Sequence, residues 1–165
     1  MGDIRRAQLR GKYLELGVGE LVAAAVFVAV AVAVVMPRTV DPRDQLALWS
    51  ALTPLLMILV QAGVYWLLAR SWVELRPMPV KIARVYRALQ ISDAVLLAAG
   101  LVGVLAWWPD HLGSALVVAA IWSFGAVEYV NYFLFRLAFP ILRWFTAVRG
   151  RRLPQLAQDL RAAKK

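Results

Sequence analysis

Four long apolar stretches, separated by short polar segments, dominate the chain. The first runs from about Gly17 to Met36, with Leu21 to Met36 uninterrupted. The second runs from about Leu46 to Ala69, the third from about Gln90 to Trp108, and the fourth from about Ser114 to Pro140. Each approaches or exceeds the ~20 residues that cross a ~30 Å hydrocarbon core. Backbone polar groups in that core must be paired within their own segment, so the pattern predicts helices. The expected fold class is an all-α integral membrane protein, a four-transmembrane-helix bundle over residues 1–140 followed by a basic amphipathic tail over 141–165. Basic residues precede the first stretch, as in a signal peptide. Its apolar run is long for one, and no small-residue cleavage site follows near Met36, Pro37 and Arg38, so it reads as a retained helix.

Two segments outside the spans carry a pattern of their own. Leu153, Leu156 and Leu160 share one helical face, with Gln155, Gln158, Asp159 and Arg161 away from it, which predicts an interfacial amphipathic helix. Pro77 and Pro79 make an extended turn before a helix that begins near Lys81.

Composition turns the pattern into a class. Of 165 residues, 62% are hydrophobic and 18% charged, against roughly 45–50% and about 25% in soluble domains. A body of this size buries only about 70% of its surface, so a soluble domain and intrinsic disorder are both excluded. The formal net charge of +9 is placed for topology rather than for nucleic acid. Arg5, Arg6, Arg10 and Lys12 precede the first span. Arg70, Arg76, Lys81, Arg84 and Arg87 join the second to the third. Arg136, Arg143, Arg149, Arg151, Arg152, Arg161, Lys164 and Lys165 end the chain. Seventeen of nineteen basic residues thus lie on one side, with only Arg38 and Arg43 opposite, beside Asp41 and Asp44. The positive-inside rule then puts both termini in the cytoplasm of a multi-pass protein of the inner membrane. Trp49, Trp107 and Trp108 fall at the expected outer interface, and Trp66, Trp72 and Trp144 near the inner one. The basic tail, Arg143, Arg149, Arg151 and Arg152 above all, is expected to meet anionic headgroups at ~1 kcal/mol per residue.

Much chemistry is excluded by the inventory. There is no cysteine, one histidine (His111) and four methionines (Met1, Met36, Met57, Met78). Thiol chemistry, a bis-His haem, zinc and copper relays all lack their ligands. Gly17 and Gly19 form a G-x-G with no strand before it, a chance match to a phosphate loop. The N-terminus lacks the Ser or Thr of a myristoylation motif. No cofactor or metal is expected.

The two halves of the chain align. Glu20 set on Asp93 places Gly19-Glu20-Leu21-Val22 over Ser92-Asp93-Ala94-Val95. Gln61 set on Glu128 places Val60 to Leu67 over Val127 to Leu134, with Val, Tyr and Leu identities. Two parallel hairpins would be related by a pseudo-twofold axis along the membrane normal; biased apolar helices also align without duplication.

In a chain this apolar, the polar residues inside the spans are informative, because each charge costs roughly 2.5–3.5 kcal/mol to insert. The candidates are Glu20, Gln61, Asp93, Glu128 and Asn131, with Tyr65 and Tyr132 four residues after Gln61 and Glu128. At ~1.5 Å per residue, Glu20 and Asp93 are expected about 5 Å inside the cytoplasmic ends of their helices, and Gln61 and Glu128 roughly 10–15 Å in. A carboxylate in a first helical turn is favoured by the dipole, which is the structural reading of Glu20 and Asp93. Glu128 lies mid-helix and needs a proton, a partner or water; hydrogen bonding to Gln61 or Asn131 is its structural reading. Arg84, Arg87 and Arg136 are near enough to act as counter-ions. Ala23, Ala24, Ala25, Gly100 and Gly103 allow close helix approach.

Three functions fit. The favoured expectation is transport or permeation by an oligomer, with Glu128 exchanging a proton for a polar or cationic substrate in a cytoplasmic-side cavity lined by Asp93 and Glu20. The alternatives are a non-catalytic accessory subunit of a membrane complex, and a membrane enzyme using Glu128 and Asp93 as acid and base on a lipid or isoprenoid. The expected partners are anionic lipid and a second copy or a membrane complex.

Overall fold

The computed structural model of the chain describes residues 2–39, 41–73, 75, 77–134 and 154–163. Helix α1 is Gly2–Val30, prolonged by a π turn (Ala31–Val35) and a 3-10 turn (Met36–Arg38). Helix α2 is Pro42–Ala69 and α3 is Val80–Ala106. Helix α4 is Leu112–Tyr129, prolonged by a π turn (Val130–Leu134), and α5 is Gln155–Ala162. No strand occurs among the described residues. Four stretches, Ile4–Arg38, Pro42–Ala69, Val80–Ala106 and Leu112–Leu134, of 35, 28, 27 and 23 residues, are long and apolar enough to cross a membrane.

Local signals explain several ends. Asp41 caps α2 by accepting from Arg43 N at 2.8 Å, with Pro42 at the first helical position, where no amide donor is required. Pro79 precedes α3. Two helices begin well before their apolar stretches. Helix α1 carries Arg5, Arg6, Arg10 and Lys12 within it, and α3 carries Lys81, Arg84 and Arg87. Polar residues of good helix propensity continue a helix that the apolar window alone starts late.

Helix α2 is the centre of the bundle, packed against α1, α3 and α4. Ala47, Leu48, Ala51, Leu52, Leu55, Ile58, Leu59, Ala62 and Tyr65 are all buried on it. Helix α1 contributes a narrow stripe, Gly17, Ala24 and Ala31, seven residues apart, while Val18, Val22, Val26 and Val30 stay exposed. A helix that is apolar all round has this division when its other side faces lipid.

Two close crossings fix the helices around α2. A Cβ on Gly17 would stand 3.0 Å from Gly63 O, and one on Gly63 3.0 Å from Gly17 O. The G-x-G that failed as a phosphate loop therefore contains a packing glycine, the small-residue contact that membrane helices use. Gly100 lies over Ser50 O, to which an added Cβ would come within 2.5 Å. Pro54 sits four residues after Ser50 and has no N–H to offer that carbonyl. The glycine takes the space beside an oxygen that the proline has freed.

Helix α5 falls within the expected tail, but its apolar face has a protein partner. Leu156, Ala157 and Leu160 are buried, the two leucines in a cluster with Tyr65, Trp72 and Met78. This corrects the picture of a helix laid on the lipid interface. Asp159, expected to point away, turns inward because the bundle offers it two donors. Leu153 and the headgroup candidates Arg143, Arg149, Arg151 and Arg152 lie outside the described residues, as does the expected reach of the fourth span to Pro140.

Candidate functional site

Each of the four long apolar helices places its polar residue towards its neighbours. Gln61 follows the buried face of α2, in register with Ile58, Ala62 and Tyr65. Asp93 lies on the buried face of α3 with Tyr86, Leu97 and Gly100. Glu20 and Glu128 are half-buried. Helical periodicity puts Glu128, Asn131 and Tyr132 on one side of α4, and the π turn that begins at Val130 carries the last two. Single π turns recur at functional positions because they shift the register of the side chains that follow.

Two polar pairs result. Gln61 Nε2 donates to Asp93 Oδ1 at 2.9 Å. Tyr132 Oη donates to Glu20 Oε1. Glu128 stands beside Asn131 and close enough to Glu20 for their charges to interact. Tyrosines tie the pairs to the backbone: Tyr86 Oη donates to Gln61 O at 3.0 Å and Tyr129 Oη to Gln90 O at 3.2 Å.

This arrangement changes three expectations. Gln61 pairs through its amide nitrogen with Asp93, not Glu128, so residues placed at different depths by counting along the apolar stretches are at one level. Neither Glu20 nor Asp93 is in a first turn: the starts at Gly2 and Val80 are 20 − 2 = 18 and 93 − 80 = 13 residues upstream. The helix dipole acts within the first turn only, so it does not account for either carboxylate. Finally, Tyr65 is not shared with Gln61. Its hydroxyl donates to Asp159 Oδ2 of α5 at 2.9 Å.

The counter-ion role foreseen for Arg87 is likewise replaced by a structural one, since Arg87 Nη2 donates to Leu160 O at 2.9 Å. Arg136 is outside the described residues. The apolar groove between α2 and α3, about 310 Å³, is lined by Leu46, Trp49, Ser50, Thr53, Pro54, Leu96, Ala99 and Gly100. None of the candidate carboxylates lines it.

Several participants were missed from sequence. Asp159 accepts from Tyr65, from Trp72 Nε1 at 3.2 Å and from Gln155 Nε2 at 3.0 Å. Tyr13 stacks edge-on against Trp66 at 4.9 Å between centroids, and Tyr86 against Tyr65 at 5.7 Å. A signal for the tyrosines existed. The offset that sets Glu20 on Asp93 (93 − 20 = 73) also sets Tyr13 on Tyr86 (86 − 13 = 73).

Asp159 holds α5 against the end of the bundle through two donors, Tyr65 and Trp72, so Asp159→Ala is expected to loosen the helix without unfolding the bundle. Hydrogen bonds to a charged group contribute about 1.5–3 kcal/mol. Trypsin cleavage after Arg161 should accelerate about tenfold, a factor equivalent to about 1.4 kcal/mol of docking, with no change for Ala162→Gln at an exposed position.

Comparison with protein-family models, with curated proteins and with solved structures returns no match.

Proposed function

We propose that the chain is a small transport or permeation protein of the cytoplasmic membrane, with both termini inside, that works as an oligomer. Its coupling group is Glu128, which exchanges a proton for a polar or cationic substrate. The observation that carries this reading is the convergence on Glu128: Glu20 comes to it from α1, Asn131 from the next turn of α4, and Tyr132 joins Glu20 from the π turn. Carboxylates in one low-dielectric setting repel each other, and a proton or a cation between them relieves the repulsion. Glu128 is also less buried than Asp93, as an exchanging group must be.

The polar pairs also support a pseudo-twofold relation between the hairpins. Gln61 with Asp93 joins the second helix of one half to the first of the other. Under the alignment of Glu20 on Asp93 and Gln61 on Glu128, the equivalent pair is Glu128 with Glu20, and Tyr132, one turn after Glu128, is the residue that bonds Glu20. A parallel repeat of this kind is a transporter construction.

The accessory-subunit reading keeps one supporting observation. Glu20 and Asp93 already have partners within the chain, as residues that specify helix pairing do. The enzyme reading is weakened, because Asp93 is committed to Gln61 while Glu128 lies with Glu20 and Asn131.

Proteoliposomes with a pH dye inside test the proposal. External inorganic and organic cations are added in turn to vesicles loaded at acid pH. Transport requires that at least one cation draw protons out through the wild-type protein; none doing so with folded protein would remove the reading.

A further inference from the structure

The Gln61–Asp93 pair holds one hydrogen bond and lacks at least one more. An ionised carboxylate only accepts, and an amide offers one acceptor and two donors. With Gln61 Nε2 donating to Asp93 Oδ1, Gln61 Oε1 and Asp93 Oδ2 remain. Both atoms are buried and neither has a hydrogen-bond partner among the described residues. The residues themselves are 9% and 1% exposed. Leaving a buried acceptor unsatisfied costs about 1–3 kcal/mol, more if it is charged. What the pair lacks is a donor, and it lacks it on both halves.

The described residues around the pair supply none. Ile58, Ala62 and Leu97, on the two helices that carry the pair, are apolar and buried. What reaches Asp93 from α2 is a neutral amide and not a cation. From α4 the titratable group near Asp93 is Tyr129, whose hydroxyl donates to Gln90 O. On α3 itself, Tyr86 donates to Gln61 O. Neither hydroxyl proton is directed to the two orphaned oxygens.

We infer that the Gln61–Asp93 pair is a proton-binding site, in which one proton on Asp93 Oδ2 is shared towards Gln61 Oε1. The carboxylate takes up the proton from water, no bond is broken and no electron moves. A carboxylic acid and a primary amide are complementary: each presents one donor and one acceptor along the same edge. The added proton makes the pair reciprocal and satisfies both oxygens at once. It also removes a charge that is costly to keep inside the membrane. The site goes beyond the transport reading, since it stands whether or not Glu128 moves a substrate.

Infrared spectroscopy of the full chain in lipid tests this directly. At neutral pH the wild-type spectrum should contain the carbonyl stretch of a protonated carboxylic acid that is absent from Asp93→Asn. Asparagine keeps the donor-and-acceptor edge, so this variant should fold and melt as wild type does. Gln61→Leu should displace the same stretch, because the acid loses its amide partner; this second variant decides the matter if Asp93→Asn fails to fold. A wild-type spectrum whose acid stretches are unchanged in Asp93→Asn, or unmoved in Gln61→Leu, overturns the inference. That result would mean an ionised Asp93 with a water or a metal cation between the two oxygens. Glu128→Gln should leave the Asp93 stretch in place, which separates this outcome from failure of the transport reading.

Discussion

Glu128→Gln is expected to abolish cation-driven proton efflux from proteoliposomes, lowering it at least about a hundredfold, to the leak of protein-free vesicles. The magnitude follows from what glutamine retains and what it loses. Its side chain has the same length and still offers an oxygen to Asn131, so the helix and its π turn are undisturbed. It cannot take up or release a proton, and positioned proton-transfer groups contribute typically 10²- to 10⁴-fold. The repulsion between Glu20 and Glu128 also disappears, so melting temperature should hold or rise while flux is lost. Glu15→Gln, at an exposed position in α1, should leave both unchanged. Equal flux from Glu128→Gln and wild type would take the coupling role away from this residue.

Gly100→Val is expected to be the most damaging single substitution in the bundle, at about 3 kcal/mol, the upper end of the cost of overpacking. An added Cβ stands 2.5 Å from Ser50 O and 3.1 Å from Pro54 Cγ. The first is backbone, so α3 must move away from α2, and a β-branched side chain has few rotamers with which to yield. Moving α3 also separates Asp93 from Gln61 seven residues earlier. Thermal melting followed by size-exclusion chromatography in detergent should show early aggregation. Gly19→Val is the control: nothing lies within 4 Å of a Cβ there, and valine is a better helix former than glycine. Equal melting of Gly100→Val and wild type would mean that the α2–α3 crossing is looser than the structure has it.

The bundle was legible in the sequence because a bilayer imposes one solution on each apolar stretch, and the four stretches are four helices long and apolar enough to cross one. The polar residues were legible for the same reason, since any charge within such a stretch stands out. What the chain pattern did not contain was which pairs form. Periodicity places Gln61 and Glu128 on faces but does not say that α2 is central, and it is this centrality that delivers Gln61 to Asp93. The start of α3 was legible from Pro77 and Pro79, which predict a helix from near Lys81, and it begins at Val80; but the apolar window marks where lipid begins, not where hydrogen bonding does, and counting depth from that window makes Glu20 and Asp93 look like first-turn residues. Small residues were read partly correctly. Ala24, Gly100 and Gly103 are buried while Ala25 is exposed, and the Gly17–Gly63 crossing depends on two helices meeting, which neither sequence shows alone. Asp159 was read as polar and therefore outward. Its inward turn depends on Tyr65 and Trp72 having hydrogens to donate, a property of the site it docks on.

The central claim is that Glu128 is a carboxylate embedded in the membrane yet reached from the cytoplasmic side. A water-soluble carbodiimide with an amine nucleophile, applied separately to inside-out and right-side-out vesicles and mapped by mass spectrometry, tests it without knowledge of the substrate. The account predicts amide formation at Glu128 in inside-out vesicles and none in right-side-out ones. Modification from the outer face only, or at Glu128 in neither preparation while exposed Glu15 is modified, would contradict it.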